Sequence, residues 1–264
     1  MTKQLIINAD DFGRTRGINE GIIHTHRKGC LSATSALTGM PYIIEGLQQA
    51  ATKAPDLGIG VHLNVSQEQP LLPAERVPTL VDNAGNFIEF HKAPERLADI
   101  RPAQLHVEWH AQIERFYALG SEPDHLDSHQ HIAYMSLENF RVFLSLAQEF
   151  GLPIRFPPVE YLQRLGEAAT RAMVKEYRIK APDSCIITFF RDGVTREHLL
   201  GIFASLPEGI HELMCHPARV DQELIDTSTY AHERQTELDL LTDPEVLNAL
   251  DANGIELASF QVLV

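Results

Sequence analysis

The chain has 264 residues, 44% of them hydrophobic and 22% charged, and a formal net charge of −14. That composition suits one large globular α/β domain, and the acidic balance argues against nucleic acid as a partner, because binding a phosphate backbone needs a basic footprint. Three cysteines, Cys30, Cys185 and Cys215, are too few and too scattered for a disulfide framework or a thiolate zinc site, whereas 13 histidines leave imidazole and carboxylate as the available metal donors. Met1-Thr2-Lys3-Gln4 runs straight into the first apolar stretch without a signal-peptide core, and no segment approaches the ~20 apolar residues of a membrane span. A soluble, cytoplasmic protein is expected.

Short apolar runs alternate with segments of helical period, and no repeat or Pro/Gly/Ser linker divides residues 1–264, so a single domain is expected. Leu5-Ile6-Ile7 centres a strand over about 4–8 that ends in Asn8-Ala9-Asp10-Asp11-Phe12-Gly13. Two adjacent carboxylates there repel unless a cation or a shared proton relieves them, so the pair reads either as a site or as an ordinary Asx turn. A helix over about 18–28 stops at Gly29, a strand follows over about 33–38, and Pro41 opens a helix carrying Ile43, Ile44, Leu47, Ala50 and Ala51. A third strand over about 57–63 precedes the irregular stretch 65–101, whose Pro70, Pro73, Pro78, Gly85 and Pro94 mark a long functional loop. The rhythm resumes with a helix over 102–119, a strand over 125–128 and a helix over 137–150. Then come a short strand over 153–156, a helix over 159–180, a strand over 184–190 and a helix capped by Thr195 that runs to Ser205. A strand over 209–215, helical pattern over 233–253 and a last strand over 255–260 complete about eight βα units. With no G-x-G-x-x-G after the first strand, a TIM-like (β/α) barrel of seven to eight strands, open to distortion, fits better than a Rossmann sheet.

In such a barrel Asp10, Asp11, His62, Asn64, His129, His131, Arg155 and His216 all fall at carboxyl ends of strands, where barrel enzymes keep their chemistry. Along His125-Leu126-Asp127-Ser128-His129-Gln130-His131 a period of two puts His125, Asp127, His129 and His131 on one face, three imidazoles and a carboxylate, while Leu126, Ser128 and Gln130 share the other. The pattern fits a polar edge strand, or metal ligation in which Asp127 orients an imidazole and His131 is a ligand or a neighbour. His62 and Asn64 turn to one side beside Gly60, which leaves room. One carboxylate of Asp10-Asp11, His62 and one histidine of 125–131 make a two-His, one-carboxylate set with open positions, as a catalytic metal requires. Cys215 and His216 are neighbours on a strand and point to opposite faces, which argues against a nucleophilic dyad. His216, fixed by Pro217, is placed as a general acid or as a satisfied loop histidine.

Asn8-Ala9-Asp10-Asp11-Phe12-Gly13, Gly60-Val61-His62-Leu63-Asn64, His125-Leu126-Asp127-Ser128-His129-Gln130-His131 and Met214-Cys215-His216-Pro217-Ala218 together resemble the motif set of the YdjC-like carbohydrate deacetylases, which include chitooligosaccharide deacetylases. The resemblance runs from residue 3 to beyond Arg234-Gln235-Thr236-Glu237-Leu238. It implies a hydrolase that removes the acetyl group from an N-acetylated sugar, such as an N-acetylglucosamine oligosaccharide or its phosphate. By the same match Asp11, His62 and His129 would bind one divalent metal ion, Asp10 would be the base and His216 the acid. It also implies magnesium, although two imidazoles and a carboxylate suit zinc, manganese, cobalt or iron better on ligand softness, and it is consistent with a homodimer. The chemistry suits an amide, a poor electrophile with a poor leaving group. A metal lowers the pKa of bound water from 15.7 to about 7, and base and acid each contribute about 10²–10⁴-fold. Sugar recognition is expected from the 65–101 loop, Arg155 and the rings of Phe12 and Tyr134. Gln130 and Ala133 stand where relatives often carry histidine. Two other readings remain open: another metal-dependent barrel hydrolase (an amidohydrolase or phosphoesterase), which typically shows His-x-His where this chain has Asp10-Asp11, and a non-catalytic carbohydrate-binding protein.

Overall fold

A computed structural model describes residues 2–264. Its elements are β1 (Lys3–Phe12), α1 (Arg16–Lys28), β2 (Ala33–Ala36), α2 (Ile43–Lys53), β3 (Gly58–Leu63), α3 (Pro102–Ala118), β4 (Leu126–Ser128), α4 (Leu137–Phe150) and α5 (Val159–Leu165). They continue as α6 (Glu167–Glu176), β5 (Ser184–Ile186), α7 (Arg196–Ser205), β6 (Gly209–Cys215), α8 (Gln222–Thr227), α9 (His232–Leu241), α10 (Pro244–Ala252) and β7 (Ile255–Leu257). The Thr195 hydroxyl caps α7 by accepting from the His198 backbone N–H. The helix expected over 159–180 divides at Gly166, whose φ of 82° is left-handed and ends α5. No described helix is long and apolar enough to cross a membrane.

The strands make one parallel sheet in the order β4-β3-β2-β1-β6-β5, with β7 beside β1. Leu5, Ile6 and Ile7 of the central strand are all fully buried, as a parallel strand covered on both faces requires. This curled, half-barrel sheet corrects the expected TIM-like barrel, and two local causes account for it. The segment expected as a strand over 153–156 makes a single bridge, Leu126↔Ile154, because Pro153, Pro157 and Pro158 around it lack the N–H groups a ladder needs. Among the described residues no eighth strand forms either. β7 returns to β1 instead, matching Lys3–Leu5 to Ile255–Leu257, while β2 takes the same strand from Asn8 onward.

The 65–101 stretch is a loop with two short 3₁₀ turns, Ala74–Arg76 and Pro94–Asp99. One stripe of α3 holds its backbone. At successive helical turns, Gln104 accepts from the Thr79 N–H, Glu108 from the N–H groups of Leu71 and Leu72, and Gln112 from that of Asn64. Glu108 and Gln112 are buried polar residues in an otherwise apolar face, and these bonds are what make their burial tolerable.

Candidate active site

Asp10 and Asp11 are consecutive, yet both line one cleft of about 650 Å³ at the carboxyl ends of the strands. A regular strand would send them to opposite faces. The backbone at Asp11 is left-handed, with φ of 75°, and the β1–β2 register shifts between Ala9 and Phe12, so the second carboxylate turns back to join the first. His62, at the end of β3, and His129, just past β4, complete the group. His129 Nδ1 lies 3.1 Å from Asp11 Oδ1 and 3.2 Å from His62 Nε2, and His62 Nε2 lies 3.9 Å from Asp11 Oδ1. Two atoms each bonded to one ion at about 2.0–2.2 Å sit roughly 3.0–3.5 Å apart; two of the three separations fall in that range and the third lies a few tenths of an ångström beyond it, so a small shift brings all three onto a shared cation. A second set, Asp10, His62 and Asp127, is also close enough. Its carboxylates are already engaged, however: Arg155 forks onto Asp10 at 2.7 and 3.0 Å, and Asp127 accepts from His62 Nδ1 at 2.6 Å. The latter bond takes the Nδ1 proton and leaves the His62 Nε2 lone pair facing Asp11 and His129.

The electrostatics point the same way. Burial opposes the charge on Asp11, but the Arg234 guanidinium, 2.5 Å away, and then His129 hold its carboxyl well below the ordinary range. Burial likewise opposes the charges on Asp10 and Asp127, and Arg155 followed by His62 holds both down. Although burial works to lower it, the proton affinity of His62 is pushed up to about 9 by Asp127 and Asp10. The field that draws a proton to His62 is the field a cation meets there. His216, after β6, carries its Nε2 3.9 Å from Asp10 Oδ2. Its backbone N–H donates to Glu237, which also bonds Tyr230. Burial and then Arg234 lower His216 to about 4, burial and then Arg155 lower His131 to about 3, and burial pushes Glu237 up to about 8.

The two depressed histidines set an acid limit on stability. Unfolded, both rings titrate near 6.5; folded, they refuse protons until about pH 4 and 3. Below pH 6.5 the unfolded state therefore gains protons that the native state does not take. The stabilisation, on the order of 3 kcal/mol for His216 alone, is lost as pH falls to about 4. Glu237, pushed up to about 8, binds its proton in the folded state first and offsets part of this loss, so the histidine contribution is read by comparison: between pH 6.5 and 4 the urea midpoint of the metal-free wild type is expected to lose more ground than that of a His216→Phe variant, and parallel profiles would contradict the His216 environment.

The remaining expected residues divide. His131 lines the cleft, its ring against Tyr161 and its Nδ1 buried without a partner. The alternation expected along 125–131 stops at Ser128, because Gln130 and His131 adopt left-handed φ of 51° and 57°. His125 lies nearer the strand's start, stacked on Phe260. Arg155 is fully buried and reaches the site only through Asp10, Asp127 and Glu212. The Asn64 side chain is taken up by the backbone of Ser66 and Gln67. Phe12 is core, and Tyr134 is buried with its hydroxyl donating to the Arg155 carbonyl, so neither ring faces the cleft. Cys215 is buried and its thiol is pushed well above its ordinary range by burial, which removes the dyad. The 65–101 loop does contribute wall, through Gln67, Phe90, His91, Pro94 and Leu97.

Arg14, Glu212, Tyr230, Arg234 and Glu237 were not reached from the residue pattern. Three of them carried a signal. Arg234 and Glu237 stand three apart, hence on one helical face of α9, and Glu212 is the one carboxylate in its strand, followed by the apolar Leu213 and Met214, a place where a buried charge calls for a cation.

A sequence model for the YdjC-like protein family matches residues 4–252. The chain belongs to the YdjC-like family. Among relatives named carbohydrate deacetylase, one from Thermoanaerobacter pseudethanolicus is 38% identical over 99% of this chain and 99% of its own length. Another, from Enterococcus faecalis, is 36% identical over 99% and 98%. A crystal structure from Enterococcus faecalis, described as that of a proposed cellobiose-phosphate cleavage protein, is 35% identical, covers 100% of both chains and superimposes with a TM-score of 0.91. A family 4 carbohydrate esterase from Streptomyces lividans, only 10% identical, shares the fold at a TM-score of 0.51 over 99% of this chain and 95% of its own. This YdjC-like chain thus has the curled sheet of those esterases rather than an eight-stranded barrel.

Proposed function

We propose that this chain is a metal-dependent carbohydrate N-deacetylase. The observation that carries the reading is the convergence of Asp11, His62 and His129 on one point beside the ionised Asp10, within a cleft of a chain whose whole-length relatives bear that name. The donor set suits zinc, cobalt, manganese or iron on softness, and family resemblance adds magnesium. When bound, a divalent ion supplies Lewis acidity, polarising the acetyl carbonyl and acidifying water.

The chain's own groups supply the proton transfers. Asp10 is held ionised by Arg155 and faces the point where water would be activated, so it acts as base. His216 rests neutral, and its Nε2 lies 3.9 Å from Asp10 Oδ2. The proton that Asp10 accepts is the one the departing amine needs, and His216 is placed to carry it there. Asp127 orients His62, while Arg234 restrains Asp11. The sugar lies along the wall made by Phe90, Tyr161 and Phe190, with His131 offering a ring nitrogen. The substrate class is an N-acetylglucosamine-containing oligosaccharide or its phosphate, and the same reading carries a cytoplasmic homodimer.

Acetate release from N-acetylglucosamine, its phosphate and short chitooligosaccharides decides the matter. Release that chelator abolishes and a divalent ion restores is expected; no release with any of them, metal present, would refute the deacetylase reading.

A further inference from the structure

We propose that Ser35 and His125 are positioning residues for the metal centre, acting through Asp127 on His62 without touching ion or substrate. The inference rests on the metal-site reading above.

Ser35 is fully buried on β2. Its Oγ lies 2.7 Å from Asp127 Oδ2, 2.7 Å from Asn8 Nδ2 and 3.4 Å from His125 Nε2. A hydroxyl has one proton and two lone pairs. An ionised Asp127 only accepts, so the proton goes to it. The Asn8 amide fills one lone pair, and the other faces His125 Nε2. On the far side of the ring, His125 Nδ1 lies 2.6 Å from Asp124 Oδ1. Both ring nitrogens are thus engaged by oxygen partners, and the ring is held in one orientation. It lies flat on Phe260, centroids 3.7 Å apart and planes within 9°. A Cβ at position 60 would come within 2.4 Å of that ring, so Gly60 keeps its place open.

The consequence reaches the metal centre. Asp127 Oδ2 is held by Ser35 and by Arg155 NH1 at 3.0 Å, which leaves Oδ1 to His62 Nδ1 alone. That division fixes the carboxylate plane, and with it the tautomer and ring direction of His62. Arg155 cannot hold the plane unaided, because its guanidinium also serves Asp10 and Glu212.

Titration of the metal-free chain with Co²⁺, read by calorimetry and by d–d absorption, tests the proposal. Loss of an outer partner of this kind weakens metal binding about 10–100-fold. Ser35→Ala is expected to show that loss with altered absorption bands, and Ser35→Thr, which restores the hydroxyl, to recover most of it. Wild-type affinity in Ser35→Ala, or Ser35→Thr binding no better than Ser35→Ala, would overturn the proposal. Should Ser35→Ala not fold, Ser35→Cys keeps the size but only a weak donor; it is expected to lose affinity similarly, and wild-type binding there would overturn the proposal too. A wild-type chain that takes up no Co²⁺ would instead refute the metal-site reading itself and this inference with it.

Discussion

Arg155→Met is expected to cost the fold about 3–5 kcal/mol, the usual penalty for leaving a buried ion pair without one partner. The side chain is fully buried and its nitrogens reach Glu212 at 2.7 Å, Asp10 at 2.7 Å and Asp127 at 3.0 Å. One guanidinium thus answers three buried carboxylates from three strands. Methionine fills comparable volume but supplies no charge, so the loss is electrostatic rather than a cavity. For a chain of this size each kcal/mol shifts the melting temperature by about 2–4 °C, which puts the expected drop at about 6–20 °C. A melting temperature within a few degrees of wild type would show that the carboxylates share protons instead of relying on Arg155.

Asp10→Asn separates chemistry from metal binding. The amide keeps the shape of the carboxyl and an oxygen for Arg155, but it accepts no proton, so turnover should fall by about 10²–10⁴-fold. Asp10 is outside the Asp11, His62 and His129 group, and the metal content of Asp10→Asn should match wild type. His129→Ala is expected to do the opposite and lose the metal, because it removes one of three donors. Metal analysis beside acetate release reads both, and normal turnover by Asp10→Asn would move the base to another residue.

Much of this arrangement is legible in the residues, and what is not has physical reasons. Alternation and turn signals locate β1, β3, α4 and β6 to within a few residues, because each carries enough apolar side chains to declare its period. Gly166 and the prolines around Ile154 are visible as local breaks, but whether a weak segment joins a sheet depends on partners far away in sequence, so the eight-unit count failed there. At the site, Asp10, Asp11, His62 and His129 stand out as polar residues at the ends of apolar runs. Arg234 and Tyr230 do not: they come from helix α9 and the turn before it, and only tertiary packing brings them to Asp11 and His216. Phe12 misleads in the other sense, as an aromatic beside two catalytic candidates that simply belongs to the core.

The left-handed backbone at Asp11 limits what evolution can write there. Among L-residues Asn, Asp and His adopt that conformation most readily, and glycine adopts it freely, while β-branched residues resist it. One-base changes from an aspartate codon reach both Asn and Gly. Either would preserve the turn that folds the strand end back and discard the charge that faces the two imidazoles. A descendant that keeps this fold, holds sugars and performs no chemistry is therefore a single nucleotide away from the present gene.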